Sequence, residues 1–418
     1  MPAEDFVAPT VRTRDRAALQ SLNFFMADME AGMGPFLGVL LASRGWQTGT
    51  IGAVITLGAI VGMVTVAPAG ALVDATTRKR ACVIGVGLAA VAASAVILTN
   101  HHFWVVAAAQ AVMCISGAAI APAVIGITLG LVGQMGFTSQ IGRNQAFNHA
   151  GNMAGAGLGG LLGWVFGYAG VFWLAAAFAV VAIASTLAIP PGRINHHIAR
   201  GEALTGDQAP VKKLRVLIES KPLLALAAAV VLFHLGNAAM LPLYGLAVVA
   251  THANPFITVA STVVVAQAVM IVASLAAMRI AQTRGYWLAI LVAFSALPVR
   301  GLIAANVITT WGVIPVQVLD GVGAGMLSVA VPGLVARLLD GTGHINIGQG
   351  AIMAAQGLGG ALSPVLGGYV AQIWGFPTAF FLLGGLSVGS LVIWLTFAPM
   401  LRRAGNHLPA LSEPAEVT

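Results

Sequence analysis

The sequence predicts an all-α membrane protein with twelve transmembrane helices in two pseudo-symmetric six-helix halves. Three observations carry this. Hydrophobic residues make up 58% of the chain and charged residues 8%, where a soluble domain averages about 25% charged. The 418 residues, with short polar gaps, leave room for about a dozen apolar runs of roughly 20 residues, the length that crosses hydrocarbon. Finally, Gly151, Gly155, Gly159, Gly163 and Gly167 recur every fourth residue, and Ala355, Gly359, Ser363 and Gly367 repeat the pattern 204 residues later. Small residues at that spacing line one helix face and let a second backbone approach closely in lipid.

Residues 1–16 read as a cytoplasmic tail. Residues 17–190 form the first half: spans at 17–42, 49–73, 81–99, 103–133, 145–167 and 171–189. Span 1 holds carboxylates in its middle, so it reads as a span and not as a cleavable signal. Residues 191–221 are the longest polar stretch, with Pro190, Pro191 and Gly192 at its start and six bases, and read as a cytoplasmic linker. Residues 222–400 form the second half, with spans at 222–250, 257–278, 287–306, 311–338, 347–372 and 376–399. Residues 401–418 are a second cytoplasmic tail. An offset of 207 places Pro35, Gly38 and Met33 of span 1 on Pro242, Gly245 and Met240 of span 7, and Gln110 of span 4 on Gln317 of span 10.

The net charge of +7 raises the question of nucleic acid, and the placement of the bases excludes it. Of 20 Lys and Arg, 18 fall at one set of alternate gaps; Arg44 lies in the other set and Arg300 lies inside an apolar run. The positive-inside rule then places both termini in the cytoplasm, with no nucleic-acid partner. Cys82 and Cys114 both sit in apolar runs and form no disulfide framework or metal motif. No G-x-x-x-x-G-K-[ST] loop or nucleophile constellation occurs, so the chain reads as neither an enzyme nor a user of ATP, with no cofactor. Two repeated halves joined by a basic linker suit alternating access about a shared central site.

Over its full length the chain resembles the major facilitator superfamily. The loop after span 2 is similar to that family's signature G-x-L-x-D-R-x-G-R-K through Gly70, Leu72, Asp74, Arg78 and Lys79, departing at Ala75 and Thr77. Gly142, Gly151, Gly155, Gly159 and Gly160 match the antiporter signature G-x8-G-x3-G-P-x2-G-G, with Ala156 in place of its proline. The arginine of the family's span 4 signature is Met113 here, ahead of Ser116 and Gly117, and Asp320 is its span 10 equivalent. The resemblance implies a monomeric, proton-coupled antiporter, with spans 1, 4, 7 and 10 lining a central cavity and Asp74, Arg78 and Lys79 forming a gate.

Asp28, Glu30 and Asp320 are the carboxylates deep in apolar runs. A charge at mid-membrane costs about 2.5–3.5 kcal/mol or more, so such groups face a cavity or a partner. All three are proton-coupling candidates. Asp320 has a second reading, as the structural partner of Arg300. Asn23, Met26, Glu30 and Met33 share a helical stripe that excludes Asp28, which favours Glu30 over Asp28. The expected cavity adds Gln110, Met113, His234, Asn237, Tyr244 and Gln317, a mildly acidic, amide-rich surface suited to cationic or neutral amphipathic compounds. Asn144, Asn148 and Asn152 read as interhelical glue beside the glycine face. The pairs Met29 with Met33 and His149 with Met153, spaced i, i+4, leave a soft metal such as copper as the alternative cargo. A non-transporting membrane sensor is the remaining reading. The expected function is proton-driven efflux across a bacterial inner membrane.

Overall fold

The computed structural model describes residues 12–31, 34–195, 220–339 and 345–406, all of whose regular elements are helical. Helix α1 (Thr13–Ala31) and α2 (Gly34–Ser43) together make the first crossing; residues 32–33 between them lie outside the described residues. The seventh pass is kinked. Helix α7 (Lys221–Asn237) and α8 (Met240–Val249) meet at Ala238 and Ala239, whose dihedrals stay helical. Pro242 explains the joint: it has no N–H for the carbonyl of Ala238, four residues back. The N–H of Ala239, freed at this joint, donates to Ser363 Oγ at 2.9 Å.

The first half continues with α3 (Thr48–Ala75), α4 (Lys79–Thr99), α5 (Phe103–Phe166) and α6 (Tyr168–Ala188), followed by a 3-10 turn at Pro191–Arg193. Spans 4 and 5 are the two arms of α5, which reverses at Gly133. That residue has φ +66 and ψ 177, a conformation open in practice only to glycine. Asn144 Nδ2 donates to Thr128 Oγ1 at 3.1 Å across the hairpin. The second half adds α9 (Pro255–Arg284), α10 (Tyr286–Asn306), α11 (Val313–Leu338), α12 (Ile345–Trp374), α13 (Phe376–Thr396) and a short α14 (Ala398–Asn406). Among the described residues nine stretches are long and apolar enough to cross a membrane. The α1–α2 pair, the second arm of α5, and α12 supply three further passes.

Both expected tails are partly helical. Asp15 is buried and ion-paired with Arg193, so α1 begins inside the segment expected as tail. At the other terminus Leu401 is fully buried and Arg402 stacks 3.8 Å over the ring of Trp287, which fastens α14 to the second half. Residues 1–11 and 407–418, and the linker between 196 and 219, lie outside the described residues.

The halves repeat each other in contact as well as in order. In the first, α1 packs on the second arm of α5 and α3 on the first arm; in the second, α7 packs on α12 and α9 on α11. A methyl group added at Gly151 would collide with the carbonyl of Phe24, and one added at Gly359 with the carbonyl of Val231. These pairs fix the repeat: Gly151 and Gly359 are 208 residues apart, so the glycine pattern, which suggested 204, is displaced by one helical turn. The seam between halves obeys the same register, with Gly160 against Phe256 and Gly368 against Thr48. Further along the glycine face, Gly155 is buried, and Gly159 and Gly163 face the rings of Phe36 and Phe256. This face therefore serves the first pass, α1 and α2, and the seam in turn.

Let the end bearing residue 12 and α14 be the terminal end, and the opposite one the far end. At the far end the halves are joined by Gln372 Nε2 donating to Gln47 Oε1 at 2.6 Å, Thr48 Oγ1 to the carbonyl of Gly368 at 3.0 Å, and the Val365 N–H to Thr56 Oγ1 at 3.1 Å. One hydrophobic core unites α2, α3 and α6 with the second half there, whereas a separate core of Leu19, Leu22, Met26, Val83 and Ile127 belongs to the first half alone at the terminal end.

Candidate substrate and coupling site

Arg300 sits on α10 in a run of apolar residues and is fully buried. A bare guanidinium in that position would be prohibitive, and the chain surrounds it with acceptors from two other helices. Its Nη1 lies 2.8 Å from Asp320 Oδ1 on α11 and 2.6 Å from Asn237 Oδ1, at the last residue of α7. Its Nη2 reaches Gln317 Oε1 at 3.4 Å. Two donors in this cluster, Arg300 Nε and Gln317 Nε2, are buried without a partner among the described residues.

Beside the cluster lies a cavity of about 380 Å³ between α7, α11 and α12. Its polar lining is His234, Asn237, Ser328, Gln349 and Gln356; Phe233, Leu327, Ile352 and Met353 are among its apolar walls. The α11 residues run from Ala324, at the middle of that helix, to Pro332 nearer its terminal-end side, the α12 residues Gln349 to Gln356 lie in that helix's first half, which starts at the terminal end, and Asn237 is near mid-depth. The cavity thus runs from the buried ion pair toward the terminal end, away from the sealed far end.

Of the residues expected to line a cavity, His234 and Asn237 do so here. Asn23 and Met26 are buried in the first half's own core, Asn23 bonding back to the carbonyl of Leu19 at 2.8 Å. Gln110 turns toward Cys114 and α3, Met113 accepts from Ser94 Oγ at 3.7 Å, and Gln317 is buried behind Asn237 against Arg300. Tyr244 is fully buried at the far end, its hydroxyl donating to the carbonyl of Val307. In each case packing inside one half turns away a face that helical periodicity could not assign. The side chains of Asp28, Met29, Glu30 and Asp74, and Met33 altogether, lie outside the described residues. His149 bonds Gln267 at 3.0 Å across the seam, and Met153 is half-buried one turn on. Gln349, Met353 and Gln356 were missed; their i, i+4, i+7 spacing on α12 is the stripe that could have marked them.

The loop after α3 divides its bases. Lys79 is buried, its Nζ donating to the carbonyl of Val73 at 2.7 Å and its stem lying against Gly126 of α5. Arg80 donates to the carbonyls of Thr186 and Leu187, at 3.1 and 3.0 Å, closing the open C-terminus of α6. Arg78 is exposed, and a Cβ at Gly70 would meet nothing.

The Major Facilitator Superfamily model matches residues 19–346. Two MFS-type transporters from two strains of Mycobacterium tuberculosis are each 38% identical over 394 residues, covering 93% of this chain and 94% of theirs. Among solved structures, a mutant form of the nucleoside transporter NupG superposes with a TM-score of 0.77 at 12% identity, covering 92% of this chain and 99% of that one. A mutant form of the peptide transporter POT gives 0.72 at 12% identity, with 93% and 96% covered. With its repeated halves and its cavity beside a buried ion pair, the chain belongs to the Major Facilitator Superfamily, as a membrane transporter working by alternating access.

Proposed function

We propose that this transporter is a proton-coupled exporter of a small, neutral amphipathic compound from the bacterial cytoplasm, and that the described conformation faces inward. The terminal end holds nearly all the bases, which the positive-inside rule assigns to the cytoplasm. The inter-half hydrogen bonds at the far end and the cavity reaching toward the terminal end support the inward-facing assignment. A neutral cargo is favoured over a cationic one because Asp320 is already neutralised by Arg300, leaving amides and an imidazole to meet the substrate.

The observation that carries the coupling is the contact of one guanidinium with both Asp320 and Asn237. Protonating Asp320 abolishes its charge and frees Arg300 to move toward Gln317, whose second contact is long. Asn237, which also lines the cavity, then changes its position or its partner. Proton binding and substrate binding thereby compete through one shared residue. Glu30 is the second proton carrier in this scheme, ahead of Asp28, and the Asp74, Arg78 and Lys79 loop is the cytoplasmic gate. The unit is a monomer.

The test uses an efflux-deficient bacterial host and proteoliposomes. Resistance to one class of lipophilic cations, neutral antibiotics or metal salts identifies the cargo. Asp320→Asn is then expected to lose proton-driven transport while retaining substrate counterflow. Proton-driven transport undiminished in Asp320→Asn refutes the coupling role of this residue.

A further inference from the structure

Three polar groups on the cavity wall have their hydrogen-bonding sense fixed from behind, each by a partner able to play only one role. His234 Nδ1 lies 2.8 Å from the carbonyl oxygen of Val230, one turn back on α7. A carbonyl only accepts, so Nδ1 carries the hydrogen, and Nε2 of the neutral ring is a bare acceptor. Asn237 meets Arg300 Nη1 at 2.6 Å. A guanidinium only donates, so Oδ1 is turned to it, and Nδ2 is a donor with no partner among the described residues. Gln349 Nε2 donates to the carbonyl of Pro332 at 2.7 Å, which leaves Oε1 as an acceptor. His234 and Asn237 are three residues apart and therefore neighbours on one face of α7, and all three residues line the same cavity.

We infer that this wall recognises a neutral ligand carrying a cis-amide edge, an N–H beside a C=O, with a further N–H toward α12: a cyclic ureide. The N–H donates to His234 Nε2, the carbonyl accepts from Asn237 Nδ2, and the second N–H donates to Gln349 Oε1. The apolar walls Phe233, Leu327, Ile352 and Met353 take a hydrocarbon substituent. The volume of about 380 Å³ lies within the roughly 300–1,000 Å³ of small-molecule sites. This inference rests on reading the cavity as the substrate site. It adds that Arg300 orients the amide of Asn237 and so sets what the site accepts. A site built to hydrogen-bond an N–H discriminates strongly against an analogue lacking it, because its own groups are then left unpaired.

The experiment measures equilibrium binding of a radiolabelled 5-alkyluracil to the purified full-length chain in detergent, with its 1,3-dimethyl analogue and tetraphenylphosphonium measured in parallel. The alkyluracil is expected to bind, and the dimethyl analogue to bind at least about tenfold more weakly. Asn237→Asp keeps an oxygen for Arg300 but replaces the donor with an acceptor, and should cost the alkyluracil a similar factor. His234→Phe removes the acceptor with the ring shape kept and, if Asn237→Asp does not fold, serves as the deciding variant. Equal affinity for the two uracils, or none for either, overturns the inference. Tetraphenylphosphonium binding in that case leaves the cavity as a substrate site for cations, and its absence takes the cavity reading down as well.

Discussion

Met113 and Asp320 occupy equivalent places in the two halves, 207 residues apart, and each reaches the helix packed beside it. Met113 meets the hydroxyl of Ser94 on α4; Asp320 meets the guanidinium of Arg300 on α10. The same architectural position thus holds a thioether in one half and a buried ion pair in the other. Duplicated halves give the transporter its symmetry of motion, and this substitution confines the titratable chemistry of the position to one of them.

The pair should behave as a buried salt bridge. Asp320→Ala leaves Arg300 buried without its counter-charge, which typically costs about 3–5 kcal/mol, and should be seen as a marked fall in the thermal unfolding temperature in detergent. The double variant Arg300→Met with Asp320→Leu should recover most of that stability but not proton-driven transport. A double variant as unstable as the single one would show that the acceptors Asn237 and Gln317, not the charges, dominate the site.

The backbone contacts at Gly151 and Gly359 predict a sharp contrast among glycines. Gly151→Ala and Gly359→Ala place a methyl group against rigid carbonyls and should greatly reduce the yield of folded protein. Gly85→Ala and Gly117→Ala meet nothing within 4 Å and should be neutral or stabilising by about 0.5–1 kcal/mol, the helix preference of alanine. Size-exclusion profiles of fluorescently tagged variants read both outcomes.

Arg44, the base that breaks the charge asymmetry of the gaps, has a structural task. Its guanidinium donates to the carbonyls of Ile97, Leu98 and Asn100, the loose end of α4. Arg44→Met should lower stability by about 1–3 kcal/mol, and Arg44→Lys should restore only a part, because an ammonium cannot span three carbonyls as a planar fork does. Thermal unfolding of the three proteins side by side checks this.

Closure of the far end can be tested by locking it. With Gln47 and Gln372 in direct hydrogen bond, Gln47→Cys with Gln372→Cys should cross-link efficiently in membranes through a short bifunctional thiol reagent. The linked protein should cease to transport while a cysteine placed at Met353, 66% exposed on the cavity wall, still reacts with a reagent applied from the cytoplasmic face. Transport unaffected by the cross-link would mean that this end does not open.

The membrane passes were legible because length and apolarity alone define them, and most boundaries fall within a few residues of those read from the sequence. The kink at Ala238 was not, although Pro242 was noted and aligned with Pro35: hydropathy is blind to a missing N–H. The short α14 was hidden for a different reason, since its anchors are one leucine and one arginine stacked on a ring, at the edge of a polar stretch. For the site, Asp320 and Arg300 stood out as charges in apolar runs. The cavity list fared less well, because the side of a helix that faces a neighbour and the side that faces water carry the same residues when the neighbour is polar. Asn23 and Asn237 lie on corresponding passes, yet one bonds its own helix and the other a guanidinium.

A kink sits one residue past the guanidinium's partner. Asn237 holds Arg300, and two residues on the N–H of Ala239 holds Ser363 of α12. The same short piece of backbone is thus tied on one side to the ion pair and on the other to the helix that carries Gln349 and Gln356. A displacement of Asn237 has a lever to act through: the joint where Pro242 leaves a carbonyl unbonded is the place where the pass can flex, and α12 is the arm that moves with it.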